Sequence, residues 1–296
     1  MKRVIEYKVE KGFDNATVGQ FLKRRLYTSK AIIALKKTPE GILVNREWSY
    51  VNRKLVSGDI LTIQIMEDAV SEKIVPVNME IEIVYEDEDI LVVNKDADTP
   101  IHPSQNNYEN SLANGLAYYF EKQGKAFVFR CINRLDRDTT GLTIIAKHQL
   151  AGGILSDMVS RREIKRTYLA VCSDDGTLPL RGTIDAPIGR KEGSTIERII
   201  DLEHGESAIT HFEKLKHDAL KQLSLIKLNL ETGRTHQIRV HMKHLGYALI
   251  GDDLYQSDMT YISRQALHSY SLTFTHPITL RQMHFVCDLP KDMQIV

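Results

Sequence analysis

Residues 132–147 read INRLDRDTTGLTIIAK, a run of charged and hydroxyl side chains that passes directly into an apolar stretch. The apolar stretch has the length of a buried strand. Asp136 lies between Arg134 and Arg137, and nearby cations favour the ionised form of a carboxyl group. Three roles are open to such a group: nucleophile, base, or structural residue of the turn before the strand. From these residues alone the structural role is the commoner one, so the flanking sequence has to decide.

The sequence around this stretch predicts a mixed sheet rather than a regular βαβ series. Residues 81–95 indicate two strands around an acidic turn at 86–89, and residues 110–124 have helical apolar spacing that stops at Gly124. Short runs typical of further strands follow at 141–147, 166–171, 219–230, 272–277 and 283–289. The predicted fold class is therefore α+β, with a mainly antiparallel sheet.

The first 67 residues predict a smaller unit of two short helices and a hairpin. TVGQFLKRRL (17–26) has an apolar stripe of Val18, Phe21, Leu22 and Leu26, and TSKAIIALKKTPEG (28–41) indicates a second helix with Ser29 as its N-cap. ILVN (42–45) and DILTIQI (59–65) are typical of strands. On GQFLKRRL, GILVN and SGDILTI, this unit resembles the alpha-L RNA-binding domain of the S-four type.

The formal net charge is zero, but the charges are unevenly distributed. Residues 14–60 contain nine Lys and Arg against four acids, residues 67–98 eleven acids against two Lys, and residues 130–170 eight basic residues against four acids. Two basic segments separated by an acidic one favour two RNA-facing surfaces, with solvated helix faces as the alternative. The candidate RNA contacts in the first basic segment are Lys23, Arg24, Lys36 and Lys37.

Length and composition indicate a globular protein of one large domain or two unequal ones, with 296 residues and 42% hydrophobic residues. The opening MKRVIEYKVEKGF has no apolar run of signal-peptide type, and no window suits a membrane span. Three widely spaced cysteines fit neither a disulfide framework nor a zinc knuckle. We therefore expect a cytoplasmic protein without a membrane association. We also expect a monomer, because no exposed apolar repeat suggests a partner helix.

Two further stretches hold candidate functional residues. Tyr168, in KRTYLAV (165–171), is either a core residue or a ring and hydroxyl available for stacking and proton transfer. ETGRTHQIRVHMKHLG (231–246) concentrates cations and imidazoles that suit phosphate and base contacts, including Arg234, His236 and Arg239. The histidine spacing argues against a metal site. The alternation of apolar residues in this stretch permits either a short helix or a strand.

Six motifs in order resemble the RluA family of ribosomal and transfer RNA pseudouridine synthases. They are IHPSQ (101–105), INRLDRDTTGLTIIAK (132–147), KRTYLAV (165–171), TGRTHQIRVH (232–241), GDDLY (251–255) and RQALHSYSLTFTHP (264–277). The family motif reads His-Arg-Leu-Asp-x-x-Thr-Ser-Gly-Leu, so Asn133 stands in place of its histidine and Thr140 in place of its serine. NKDADTPIHP also lacks the Lys-Pro-x-Gly that commonly precedes the His-Pro pair.

The resemblance implies conversion of uridine in RNA to pseudouridine without a cofactor or a metal. It implies that Asp136 is the catalytic carboxylate, that Arg239 pairs with it, and that Tyr168 stacks on the target base and assists the proton transfer. Arg234 is the second candidate for the partner of Asp136. It also implies a flipped nucleotide, with Arg134, Arg137, Arg234 and His236 as RNA contacts. The carboxylate either attacks the anomeric carbon or removes a ribose proton, and the sequence does not choose between these routes.

The resemblance also divides the chain. It implies an alpha-L-like domain at 1–70 that includes an N-terminal strand, a linker at 71–80 and a catalytic domain at 81–296. The expected substrate is ribosomal RNA of the large subunit, with transfer RNA as the second choice. Three alternatives remain open: a non-catalytic RNA-binding protein, an RNA-directed nuclease or glycosidase, and the small-subunit branch of pseudouridine synthases. No motif indicates which uridine is modified.

Overall fold

The structure, a computed structural model, describes residues 2–67, 71, 73–104, 107–256 and 258–296. Its N-terminal part consists of β1 (Lys2–Lys8), α1 (Val18–Arg24), α2 (Ser29–Lys37), β2 (Ile42–Val44), β3 (Glu47–Trp48) and β4 (Ile60–Met66). The four strands form an antiparallel sheet in the order β1-β4-β2-β3, so the predicted hairpin belongs to a larger sheet that includes the N-terminal strand.

The two short helices form where the sequence predicts them, with two differences at their ends. The N-cap of α2 is Thr28, whose hydroxyl accepts a hydrogen bond from the backbone N–H of Ala31, so the prediction of Ser29 as the N-cap is wrong by one residue. Leu26 lies beyond α1 with a positive φ of 67° and is half-buried, so it does not continue the helical stripe. Val18, Phe21 and Leu22 are buried as predicted.

The remaining elements build a nine-stranded sheet and a small two-stranded one. They are β5 (Glu82–Glu86), β6 (Ile90–Lys95), α3 (Leu112–Glu121), β7 (Thr140–Ala146), α4 (Gln149–Ser160), β8 (Lys165–Ser173), β9 (Arg181–Asp185), β10 (Ile188–Arg190), β11 (Arg198–Ile200), β12 (Ile209–Asp218), β13 (Leu223–Leu230), α5 (Gln237–His244), β14 (Leu267–Thr275) and β15 (Gln282–Val286). The large sheet has the order β5-β6-β7-β14-β8-β13-β12-β9, and β15 pairs with β14. All its pairs are antiparallel except β7 with β14. The predicted α+β class is confirmed.

The large sheet is covered on both faces, as the strand sequences require. Along β6, Ile90 and Val92 join one hydrophobic cluster, and Leu91 and Val93 join another. Successive side chains of a strand point to opposite faces, so a continuous apolar run indicates a strand buried on both sides. The second cluster contains residues of α3 and α5, and α5 carries part of the functional site described below.

The N-terminal sheet packs against the large sheet and shares its first hydrophobic cluster. Helix α2 contacts α4, and residues of α1, α2 and β4 lie in one core with those of β7 and β14. Arg3 on β1 donates two hydrogen bonds to the buried Asp89, at 2.8 and 3.1 Å. Residues 73–80, within the predicted linker, contain no helix or strand. Within the described ranges, every helix is too short or too polar to cross a membrane.

Candidate active site

The loop that carries Asp136 is fixed to β7 by the side chain of Asn133. The buried Asn133 donates from Nδ2 to the carbonyl oxygen of Leu142 at 3.0 Å and accepts at Oδ1 from the N–H of Ile144 at 2.8 Å. Its own carbonyl oxygen accepts from the Thr143 hydroxyl at 2.8 Å. A side-chain amide both donates and accepts, so it replaces a strand partner along β7. This gives a physical reason for an asparagine at the position of the family's histidine.

Strand β7 requires a glycine at its second residue, just after the turn that follows Asp136. Gly141 has a φ of 105°, and a Cβ atom built there would lie 2.4 to 2.9 Å from backbone atoms of Ser269 on β14. Only glycine allows both this conformation and this approach. The N–H of Thr139 donates to the carbonyl oxygen of Asp136 at 3.1 Å, which closes the turn. Asp136 therefore lies in the turn that leads into β7, which pairs in parallel with β14.

Arg239 on α5 is the cation that reaches Asp136, with Nη1 3.3 Å from Oδ2. The same guanidinium donates from Nε and Nη2 to the two oxygens of Asp252, each at 2.7 Å. Burial lowers the pKa of Arg239, but the hydrogen bonds and charge of Asp252, followed by those of Asp136, raise it above the usual arginine value. The guanidinium is a permanent positive charge beside Asp136, and its side chain is almost fully buried.

The segment that precedes Arg239 is a tight turn into α5, and this decides between the helix and the strand that the sequence left open. Gln237 is buried and links four groups: its Oε1 accepts from Arg234 N and the Thr232 hydroxyl, and its Nε2 donates to Ile209 O and Thr210 Oγ1. His236 adopts a left-handed conformation with φ of 57°. Its position directs the imidazole toward Asp136.

The imidazole of His236 lies between two groups of the site. Its Nδ1 shares a hydrogen bond of 2.9 Å with the Tyr255 hydroxyl, and its Nε2 is 3.9 Å from Oδ2 of Asp136. Burial lowers the pKa of His236, and the charge of Asp136 opposes this shift. The ring of Tyr255 also lies 5.0 Å from the guanidinium carbon of Arg239, within cation–π distance.

Asp136, Tyr168 and Arg239 line one cavity of about 550 Å³. Tyr168 is buried at the centre of β8, paired with Leu228 of β13 and Ser269 of β14. Burial raises the pKa of Tyr168, opposed by the positive charge of Arg166, so the phenol is neutral near pH 7. Asp136 remains 28% exposed on its side chain, so a ligand in the cavity can reach the carboxylate.

The predicted RNA contacts fall into three groups in the structure. Arg134, Arg234 and His236 line the cavity, and Arg134 is exposed. Arg234 forms an ion pair with Glu206 and donates to the Ser207 carbonyl at 3.1 Å, so the ion pair with Asp136 belongs to Arg239 rather than to Arg234. Arg137 points to Asp138 and Asp98, at 2.9 and 3.7 Å.

The third group comprises the four cations of the N-terminal unit. They are exposed on α1 and α2: Lys23, Arg24, Lys36 and Lys37.

Sequence reasoning missed Asp252 and Tyr255 as members of the site. Both lie in GDDLY (251–255), which was recognised as a motif without a role for any of its residues. The buried Asp252 also accepts hydrogen bonds from the N–H groups of Leu254 and Tyr255, each at 3.2 Å, so the motif forms a closed turn around the carboxylate.

The histidines of α5 do not converge on a metal site. His241 is buried, and its two ring nitrogens bind the Thr210 hydroxyl and the Ala186 carbonyl oxygen, each at 2.9 Å. Among the residues that the structure describes, one cluster has metal-ligand geometry: Asp87, Asp89 and His276, at the turn between β5 and β6. Its groups already bind each other and Arg3, so its geometry is explained by protein contacts.

The arrangement combines an accessible carboxylate, a buried guanidinium and a neutral phenol in one cavity. A carboxylate paired with an arginine can attack an electron-poor carbon or remove a proton. A phenol can pass a proton or stack on a planar ring. The lining cations suit a ligand that carries phosphates.

Comparison with known proteins agrees with this chemistry. Residues 89–244 match the family model described as RNA pseudouridylate synthase. An RNA pseudouridine synthase of Bacillus subtilis, YjbO, is 41% identical over 94% of this chain and 96% of its own. Ribosomal large subunit pseudouridine synthase D of Escherichia coli K12 is 34% identical over 84% of this chain and 82% of its own. The solved human RNA pseudouridylate synthase domain containing 1 superposes with a TM-score of 0.59 at 28% identity, over 71% of this chain and 83% of that one.

The fold and the matches together define the class of protein as an RNA-modifying isomerase. The chain belongs to the RNA pseudouridylate synthase family.

Proposed function

We propose that this chain converts a uridine of large-subunit ribosomal RNA to pseudouridine, with Asp136 as the catalytic carboxylate. The observation that carries the proposal is the pairing of Asp136 with the buried Arg239 at 3.3 Å inside a cavity that Tyr168 also lines. The choice of RNA rests on similarity to relatives named ribosomal large subunit pseudouridine synthase D. Transfer RNA is the second candidate substrate.

Asp136 acts on the ribose in this proposal. The bond between N1 of uracil and the anomeric carbon breaks, the base turns in place, and C5 of the base bonds to the anomeric carbon. C5 then loses its proton and N1 takes one up. Asp136 either forms a transient ester with the anomeric carbon, which breaks when C5 bonds to that carbon, or removes a ribose proton to give a glycal and returns the proton when C5 adds. A carboxylate nucleophile at a sugar carbon has precedent in retaining glycosidases. The product has the same composition as the substrate, so no co-reactant is required.

Arg239 and Tyr168 support this chemistry in different ways. Arg239 pairs with one oxygen of Asp136 and orients it, because its own position is held by Asp252. Tyr168 stacks on the rotating base and assists removal of the C5 proton. The neutral phenol suits a group that relays a proton rather than a resident anion.

The target uridine has to leave its helix or loop to enter the cavity, as in other enzymes that act on a base. In this proposal Arg134, exposed at the cavity, occupies the place that the base leaves, and Arg234 and His236 bind the flanking backbone. Arg137 and the exposed Lys23, Arg24, Lys36 and Lys37 would contact RNA farther away. We divide the chain accordingly into an alpha-L-like RNA-binding domain at 1–70, a linker at 71–80 and a catalytic domain at 81–296. We expect it to act as a monomer in the cytoplasm.

The decisive experiment compares Asp136→Ala with Asp138→Asn, a control two residues along the same loop that faces Arg137. Pseudouridines are mapped in ribosomal and transfer RNA from a strain without the gene, and from the same strain carrying each variant. We expect one or more large-subunit positions to disappear on deletion, to return with Asp138→Asn, and to stay absent with Asp136→Ala.

Four results would count against the proposal or its substrate. Restoration of pseudouridine by Asp136→Ala above a few per cent excludes Asp136 as the catalyst. Loss of no site on deletion favours a non-catalytic RNA-binding protein. Release of uracil or cleaved chains from labelled RNA indicates a glycosidase or nuclease. Loss of transfer RNA sites alone would replace the ribosomal substrate by the second candidate.

A further inference from the structure

An exposed aromatic pair lies in the N-terminal sheet, outside the residues that line the cavity. The side chains of Trp48 and Tyr50 are 59% and 68% exposed, and their rings stack with centroids 6.0 Å apart and an interplanar angle of 28°. Trp48 is the single tryptophan of the chain. Single exposed apolar residues are ordinary, whereas two stacked rings form a surface that favours a planar partner.

The local backbone explains why the two rings stand side by side. Asn45 and Arg46 both have positive φ, 54° and 71°, as a two-residue hairpin turn between β2 and β3 requires. Trp48 is the last residue of β3 and Tyr50 follows two residues later, and their stacked rings lie on the same side of the chain. Ser49 between them is buried, and its N–H donates to the Ile42 carbonyl at 2.9 Å. The pair is therefore presented at the edge of the sheet.

The surroundings of the pair are cationic. Arg46 is exposed in the turn, and Arg53 and Lys54 follow the pair, with Glu47 at 3.5 Å from Arg53 as a local acid. The first turn of α1 is bound to this segment, because the N–H groups of residues 18 and 19 donate to the carbonyls of residues 53 and 51 at 2.9 and 2.8 Å. This attachment places α1, with its exposed Lys23 and Arg24, beside the same segment.

We propose that Trp48 and Tyr50 form a stacking platform for unpaired bases of RNA, separate from the catalytic cavity. The proposal rests on the proposed function, since the RNA is the substrate that Asp136 modifies. Aromatic faces bind unpaired bases of any sequence, and neighbouring cations bind the backbone. Charge complementarity favours RNA over a protein partner, because residues 14–60 hold nine basic residues against four acids. The shared core and the Arg3–Asp89 ion pair keep the platform in a fixed position relative to the cavity.

Trp48 itself provides the probe, as all tryptophan emission comes from this residue. The intact protein is titrated with single-stranded oligouridine of about ten nucleotides, near the site size of small RNA-binding folds, and with a blunt duplex of equal length. We expect saturable quenching of Trp48 emission by the single strand and much weaker quenching by the duplex, whose bases are already stacked.

Variants separate stacking from charge. We expect Trp48→Ala and Tyr50→Ala each to weaken binding of a labelled single strand by about tenfold, and Trp48→Phe to retain most of the affinity. The slope of the logarithm of affinity against the logarithm of salt concentration should stay unchanged in these variants. Lys54→Gln should reduce the size of this slope by about 0.7, the value for one phosphate contact on a single strand. Tyr108→Ala removes an exposed tyrosine of the other part of the chain and is the matched control.

The outcomes distinguish this inference from the proposed function. Unchanged RNA affinity and unchanged KM in Trp48→Ala, with normal pseudouridine formation, overturn the platform and leave the catalytic proposal standing. Trp48 quenching and the expected affinity losses in a protein that makes no pseudouridine support the platform and reject the catalytic proposal. A Trp48→Ala variant that loses a protein partner but keeps its RNA affinity also overturns the inference.

Discussion

Asp252 holds the guanidinium of Arg239 with two hydrogen bonds of 2.7 Å, so that one terminal nitrogen remains directed at the carboxylate of Asp136. The carboxylate side chain of Asp252 has no exposed surface. Two-point binding between a planar guanidinium and a carboxylate fixes orientation as well as distance. The position of the catalytic ion pair therefore depends on a second acid that lies 13 residues after the arginine.

Replacement of Asp252 by Asn should reduce activity strongly while the RNA still binds. The amide retains one acceptor but presents a donor to Arg239, and loss of one partner of a buried ion pair costs about 3 kcal/mol or more in the free energy of unfolding. We expect kcat to fall by about 100-fold with little change in KM.

Asp253→Asn is the matched control, because Asp253 is 69% exposed and 4.0 Å from the same guanidinium. It should change the free energy of unfolding by less than about 0.5 kcal/mol. Equal losses of activity in the two variants would show that the orientation of Arg239 by Asp252 is not the important feature. Kinetics on an RNA fragment that contains the target uridine measure the activity, and urea unfolding measures the free energy of unfolding.

Asn133→Ala should destabilise the loop that carries Asp136. The change leaves the buried N–H of Ile144 without its partner, at about 1–3 kcal/mol. The carbonyl oxygen of Leu142 loses one of two donors and keeps the Ser269 hydroxyl. We expect lower stability and a lower kcat. Asn133→Asp should also fail, because an ionised carboxylate does not donate to Leu142.

Asn229→Ala provides the comparison for Asn133, since Asn229 is an exposed strand residue with one side-chain partner, Thr167. Chemical unfolding and pseudouridine assays of the three variants measure the effect. A wild-type kcat in Asn133→Ala would refute the positioning role of the amide.

The sequence predicted the elements whose patterns are unambiguous. The two strands around the acidic turn at 86–89 form as β5 and β6. The apolar run of β6 is almost wholly buried, whereas β5 is an edge strand of the sheet with exposed and half-buried residues. The ordered motifs led to Arg239 as the cation next to Asp136, and the two side chains are 3.3 Å apart. Both predictions could be made from the sequence without knowledge of contacts between distant residues.

Other features depend on contacts that spacing alone does not encode. Residues 237–242 are all buried, polar and apolar alike. Their pattern of polar and apolar residues therefore does not distinguish a helix from a strand. Asp252 has no sequence signal that links it to Arg239. The role of Asn133 required the position of β7, because its partners lie nine and eleven residues later.

Tyr168→Phe should separate the two roles that we propose for the tyrosine. The ring remains to stack on the base, but the hydroxyl that relays the proton is lost, and such a loss typically costs about 100-fold or more in rate. We expect kcat to fall by that amount with KM nearly unchanged. Tyr119→Phe, on α3, removes a hydroxyl that binds Glu86 outside the cavity and should retain activity. Full activity in Tyr168→Phe together with inactivity in Tyr168→Leu would show that only stacking matters.

Lys95 should make the stability of the site depend on pH. Its buried amine donates to the carbonyl oxygens of Asp96 and Arg137, at 2.7 and 2.8 Å, directly behind the loop of Asp136. Burial lowers the pKa of Lys95 from 10.5 to about 7, although the charges of Asp138 and Asp136 oppose the shift. Between about pH 7 and 10.5 the unfolded chain therefore holds a proton that the folded chain has lost. The free energy of unfolding rises with pH over this window, by up to about 1.4 kcal/mol per pH unit relative to a variant without the amine.

Urea unfolding of the wild type and of Lys95→Met from pH 6 to about 9 measures this difference, and groups common to both proteins cancel. The stability difference should be constant below pH 7, where the amine is charged in both states, and should grow in favour of the wild type above it. Lys122→Met, at an exposed lysine after α3, should show no such change. A difference for Lys95→Met that stays constant through pH 9 would mean that the folded protein keeps this amine protonated, with the two carbonyls and the nearby aspartates outweighing the cost of burial.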